Sequence, residues 1–127
     1  MRLSTKGRYG TRFMLDLALH YGQGPVPLKD IAERQGISEK YLWNLIGPLR
    51  TAGLMKSFRG SGGGYAITKP PSDINLKDIV SALEGSLCLV DCVDNPSVCE
   101  RSKICVTQDV WHEVTDKFRE TLESISL

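Results

Sequence analysis

Met55-Lys-Ser-Phe-Arg-Gly-Ser-Gly-Gly-Gly-Tyr-Ala-Ile-Thr68 reads as two short strands, Met55–Phe58 and Tyr65–Thr68, joined by a glycine-rich hairpin over residues 59–64. The segments before it are helical. Leu42, Leu45, Ile46 and Leu49 form an i, i+3, i+4, i+7 stripe behind Ser38, a residue type suited to an N-cap, and Gly53 suits the left-handed position that closes the helix. A shorter helix follows Pro27, with Leu28, Ile31 and Ala32 inward, and ends at Gly36. Tyr9, Phe13 and Leu17 mark a first helix over about residues 5–21, stopped by Gly22-Gln-Gly-Pro25. Two short helices joined by Gln35-Gly36-Ile37 have helix-turn-helix spacing. Followed by a two-stranded wing, they predict a mainly α protein with a winged helix-turn-helix head over residues 1–70.

Pro70-Pro71 punctuates the chain. Beyond it a short helix over Leu76–Leu83 stops at Gly85, and a loop over about 86–105 carries all four cysteines. A long helix follows over about 106–126, with Val110, Trp111, Val114, Phe118, Leu122 and Ile125 on one stripe. So small a head leaves little surface to cover that stripe. The alternatives are packing back on the head or pairing with a second copy. The second predicts a twofold homodimer and a palindromic operator with half-sites roughly 34 Å apart. Residues 71–127 therefore read as a cysteine loop plus a dimerisation helix.

Charge divides at the same place. Residues 1–69 hold 11 Lys/Arg against 4 Asp/Glu, and residues 70–127 hold 5 against 11. A basic front suggests a polyanion such as double-stranded DNA. The longest apolar region, Phe13–Tyr21, is interrupted by Asp16 and His20 and falls short of the roughly 20 residues a membrane span requires. With no signal-peptide pattern, the expected location is the reducing cytoplasm, where clustered thiols bind metal or do redox chemistry more often than they form disulfides. His20 and His112 both fall within helical segments, and no nucleophile–base pair or nucleotide loop is evident, so no enzyme is expected.

The third helix presents Glu39, Lys40, Trp43 and Asn44 away from the core. Asn44 can pair with adenine, while Ser38, Lys40 and Tyr41 can hold phosphates or bases. Arg59 is placed to enter a narrow minor groove, with Ser61 and Gly62 at a hairpin tip slender enough to approach a DNA backbone. A nucleotide-phosphate loop is excluded because a strand, not a helix, follows the glycines. Pro48 removes a hydrogen bond to residue 44, so the helix is expected to bend after Asn44 or restart at Pro48.

Cys88, Cys92, Cys99 and Cys105 are spaced C-x3-C-x6-C-x5-C. Structural zinc favours tighter paired knuckles. A disulfide requires an oxidising compartment, and unligated thiols are normally buried rather than set among Asp91, Asp94, Asn95, Pro96 and Ser97. Iron–sulfur ligation tolerates wide, uneven spacing.

Four stretches carry a resemblance: Met1-Arg-Leu-Ser-Thr-Lys-Gly-Arg-Tyr9, Asp30-Ile-Ala-Glu-Arg-Gln-Gly-Ile-Ser38, Arg59-Gly-Ser-Gly-Gly-Gly-Tyr65 and Cys105-Val-Thr-Gln-Asp-Val-Trp111. Along essentially its whole length the chain resembles the IscR-type iron–sulfur regulators of the Rrf-two superfamily, bacterial winged-helix proteins. The resemblance implies a homodimeric regulator, a repressor of iron–sulfur assembly genes, with a 2Fe–2S cluster on Cys92, Cys99 and Cys105. An alternative keeps the DNA function but makes the same cysteines a sensor of nitric oxide or thiol oxidation. A small electron carrier is a third reading, which the winged head opposes. The chain departs from the family pattern in three places. Gln108 stands where a histidine ligand is expected, so Cys88, His112, the partner subunit or a small molecule remain as fourth ligands. The loop between the first two family cysteines is one residue longer. Trp43 replaces an acidic residue that helps select between DNA sites.

Overall fold

The computed structural model describes residues 2–127; Met1, which opens the first stretch quoted above, lies outside the described residues. Helix α1 (Thr5–Leu19) starts where the Ser4 hydroxyl accepts the Gly7 N–H, and it buries Phe13, Met14 and Leu17. Helix α2 (Leu28–Gln35) begins after Pro27 and closes at Gly36, a left-handed residue. Helix α3 (Glu39–Thr51) is capped by Ser38, whose hydroxyl accepts the Tyr41 N–H at 3.1 Å. Its stripe of Leu42, Leu45, Ile46 and Leu49 is buried as the spacing predicts. Gly53 follows with φ 75°.

Pro48 does not restart the helix: α3 is one element from Glu39 to Thr51. The lost bond frees the carbonyl of Asn44, an exposed residue whose backbone can turn to water, and Gly47 brings no Cβ against the proline ring.

Strands β1 (Met55–Phe58) and β2 (Gly64–Ile67) pair antiparallel, with Met55 opposite Ile67 and Phe58 opposite Gly64. Met55 and Ile67 point into the core. Beyond this pair, the connection between α1 and α2 joins the wing through Val26, which exchanges two backbone hydrogen bonds with Tyr65 at 2.8 and 2.9 Å. Gly64 makes that approach possible, because a Cβ there would run into the Val26 carbonyl.

Helix α4 (Leu76–Glu84) opens with a capping box between Asn75 and Asp78 and buries Ile79, Val80 and Leu83. It packs on α1 where Gly7 and Gly10 leave room; a Cβ on Gly10 would collide with Leu83. Ile74, Ile79 and Leu83 belong to the same hydrophobic cluster as Phe13, Leu42 and Leu49, so the core crosses Pro70-Pro71. A one-turn helix α5 (Asp91–Asp94) and a single 3-10 turn (Pro96–Val98) interrupt the cysteine loop.

Helix α6 (Val106–Glu123) follows, and the chain end turns back to the head. The Leu76 N–H donates to the Ile125 carbonyl at 2.8 Å and the Leu127 N–H to Ile74 at 3.0 Å. The apolar stripe of α6 does not face inward. Val110, Trp111, Val114 and Ile125 are 42–48% exposed, and Phe118 and Leu122 are half-buried. The residue that α6 buries is Thr115.

Candidate functional site

Two sites come from separate halves of the fold. On α3, Lys40, Trp43 and Asn44 are exposed, and Trp43 is 60% open to solvent. Ser38 and Tyr41 stand apart from them. The Ser38 oxygen is engaged as the helix cap, leaving its O–H to donate outward. Tyr41 is half-buried, its ring edge-on to Tyr9 with centroids 5.4 Å apart, so its phenol rim is what remains for a ligand. Arg59, Ser61 and Gly62 lie exposed at the tip of the wing. Arg50 joins the two parts by donating from Nη1 to the Ser57 hydroxyl at 3.2 Å, which fixes the wing relative to α3. Arg8 and Arg12 lie over the Tyr9 ring at 5.8 and 5.3 Å, placing further positive charge beside Tyr41. The sequence reading missed this Arg8–Tyr9–Arg12 group; the i, i+4 spacing of the arginines around Tyr9 was its signal.

The four thiols are free. Cys92 sits half-buried in α5, Cys99 is exposed just after the 3-10 turn, and Cys105 is the residue from which α6 starts. Cys92 and Cys105 come to one end of α6. The Gln108 N–H bonds back to the Cys105 carbonyl at 3.2 Å, and its side-chain amide donates to the Cys92 carbonyl at 2.8 Å. Cys99 is not drawn in with them, and among the described residues no three metal-binding side chains converge. The Cys105 thiol is held below its ordinary pKa, first by its hydrogen bond with the Thr107 hydroxyl at 3.0 Å and then by the Gln108 backbone N–H at the start of the helix.

Cys88 is in a different setting. Burial, and then its hydrogen bond to Asp94, push its thiol up. Its sulfur accepts from Arg119 at 3.5 Å, and the same guanidinium holds Asp94 at 3.2 Å. His112 is exposed and paired with Asp116 at 3.3 Å. The donor types suit a soft metal centre: two thiols at one helix start, and a third on a limb of chain between them.

The Rrf2 family model, described as iron-dependent transcriptional regulator, matches residues 3–127. The chain belongs to the Rrf2 family. Among Rrf2-like relatives, the HTH-type transcriptional regulator IscR of Photorhabdus laumondii is 44% identical over 127 residues, covering all of this chain and 77% of that protein. The solved structure of T. potens IscR is 48% identical with a TM-score of 0.78, over 99% of this chain and 82% of that one. CymR, described as the global cysteine regulator of B. subtilis, is 40% identical with a TM-score of 0.80, over 99% and 92% of the two chains. The protein is therefore an Rrf2-type, DNA-binding transcriptional regulator with a winged-helix fold, and not an enzyme. No helix among the described residues of this Rrf2 protein is long and apolar enough to cross a membrane.

Proposed function

We propose that the protein is a homodimeric repressor of iron–sulfur assembly genes, working in the reducing cytoplasm and controlled by a 2Fe–2S cluster on Cys92, Cys99 and Cys105. The observation that carries the cluster reading is the meeting of Cys92 and Cys105 at the first turn of α6 through Gln108. When bound, a 2Fe–2S cluster supplies an occupant whose loss under iron limitation or oxidative stress is a signal. The residues do the rest. Cys105, with its lowered pKa, gives up its proton to a metal more readily than an ordinary thiol, and Cys99 lies on a limb free to close toward it. That limb runs directly into α6, so closing it biases how α6 meets its partner copy, a switch through a two-state element. Residues 1–70 then read DNA and 71–127 regulate.

Protein purified without oxygen is expected to be coloured, with equal iron and sulfide. A colourless protein with stoichiometric zinc refutes the cluster.

The DNA reading assigns base contacts to Asn44, Lys40 and Tyr41 on α3, and backbone or minor-groove contacts to Ser38, Arg59, Ser61 and Gly62. On a palindromic operator, Asn44→Ala and Arg59→Ala are each expected to cost about 1–3 kcal/mol of specific binding. Fluorescence anisotropy at physiological salt reads this, and unchanged affinity in both variants moves the interface elsewhere.

A second reading makes the same thiols a sensor of nitric oxide or thiol oxidation. Exposure of Cys99 favours it, since oxidants reach it directly. Operator binding by metal-free, cluster-loaded and nitric-oxide-treated protein separates the two.

A further inference from the structure

The cysteine loop divides into a docked half and a free half. Residues 86–94 are tied to one stripe of α6 at three levels. Gln108 donates to the Cys92 carbonyl, the Leu89 N–H reaches the Thr115 hydroxyl at 3.5 Å, and Arg119 holds Asp94 and the Cys88 sulfur. Gln108, Thr115 and Arg119 follow one another at seven and four residues, the spacing of a single helix face. Residues 95–104 have a different set of bonds. Those of their side chains are local: Ser97 to Asn95, and Ser102 to the carbonyls of Pro96 and Cys99.

The ties fix the distances that matter for ligation. A rise of 1.5 Å per residue places Arg119 about 21 Å along α6 from Cys105. An arginine side chain of six bonds spans no more than about 7 Å. The Cys88 sulfur, in contact with the Arg119 guanidinium, therefore stays on the order of 10 Å from the Cys105 end of α6. It cannot share a small cluster with Cys105 while the Asp94–Arg119 clasp holds. Gln108 is at the right end of the helix, but its amide N–H is committed to the Cys92 carbonyl, and an amide is a hard, weak donor for iron.

We propose that Gln108 is a positioning residue, which holds Cys92 beside Cys105 and is not itself an iron ligand, and that Cys88 lies outside the cluster site. This rests on the cluster reading above, and it leaves the fourth position to a ligand other than Cys88 and Gln108. Ligation then recruits only the free half of the loop, because the docked half is already in place.

The test uses Gln108→Ala, Gln108→Glu and Cys88→Ser in the full chain. Glutamate matches glutamine in size but presents no N–H to the Cys92 carbonyl. In metal-free protein, both Gln108 variants are expected to speed amide exchange over residues 91–95 and alkylation of Cys92. The expected factor is about fivefold, corresponding to a net hydrogen bond of ~1 kcal/mol. After anaerobic reconstitution, both are expected to hold less iron and sulfide while keeping the wild-type absorption bands. Cys88→Ser is expected to load fully with an unchanged spectrum. Shifted bands in Gln108→Ala, unchanged exchange in both Gln108 variants, or poor loading of Cys88→Ser each overturn the proposal. If wild type takes up no cluster, the cluster reading fails, while the metal-free arm still decides what Gln108 does.

Discussion

Val114→Glu is expected to leave a folded monomer that binds a palindromic operator at least about a hundredfold more weakly. Val114 is 42% exposed in the isolated chain, beside Val110 at 47% and Trp111 at 43%. A charge there meets water in the monomer and costs the fold little. In the proposed twofold dimer through α6 the position would lie in the seam, so a carboxylate from each copy would be buried there. Nearby, Thr11, Leu15, Leu76, Ile125, Ser126 and Leu127 line a small cleft of about 210 Å³, and Leu15 and Leu19 are exposed on α1. Exposed apolar groups therefore lie at the end of α6 and on α1 as well as along the α6 stripe. Two heads joined in one dimer engage the two half-sites as a single event, and losing that linkage forfeits a factor of about 10²–10⁴. Light scattering reads the mass, and anisotropy compares a full operator with a single half-site. Affinity for the half-site should not change. A Val114→Glu protein that stays dimeric places the interface elsewhere.

The head was legible because its signals are local. Alternation at Met55–Phe58, the Ser38 cap and the Leu42–Leu49 stripe each depend on neighbours a few residues away, and each fell where expected. Contacts across long separations were not legible. Val26 pairs with Tyr65, a partner 39 positions on, and nothing in the local pattern marks Val26 as strand. The long helix was found by its apolar stripe, but that stripe is the face this chain leaves open. The inward face carries Gln108, Thr115 and Arg119, polar residues chosen by the backbone and side-chain groups of the loop that needs partners. For the thiols, residue type suggested the chemistry, while spacing could not tell that Cys88 falls beside Arg119 and Cys92 beside Gln108. Of the two outcomes expected at Pro48, a restart of the helix did not occur: the cost of the proline depends on whether water can reach the freed carbonyl, and exposure is a property of the fold.

Arg34→Ala is expected to destabilise the protein by about 1–3 kcal/mol, the range for leaving a buried group without a hydrogen-bond partner, since Asp16 is buried while Arg34 itself is 40% exposed. Asp16 interrupts the apolar run of α1, and the fold buries it to 2% exposure. Its carboxylate accepts two hydrogen bonds from the Arg34 guanidinium, at 2.7 and 3.0 Å, and one from the Gln35 amide at 3.0 Å. Arg12 reaches from α1 to the Gln35 carbonyl, so α1 and the end of α2 are clasped from both sides. Burial alone would raise the Asp16 pKa. The hydrogen bonds from Arg34 and Gln35 and the nearby positive charge outweigh it, and the net direction is down. The stabilisation from this lowered pKa is present above the ordinary carboxylate value and is lost as pH falls through the lower folded value. Without Arg34, the carboxylate keeps its burial and loses its main counter-charge. Urea unfolding from pH 7 to pH 3 should therefore show the gap between wild type and Arg34→Ala narrowing toward the acid end. A gap that is small at pH 7, or constant across the range, removes the clasp as a source of stability. Because α2 leads through Gly36 into the cap of α3, loosening it also frees α3 relative to α1. Arg34→Ala is then expected to weaken operator binding even where the protein remains folded, although Arg34 lies on neither the α3 face nor the wing.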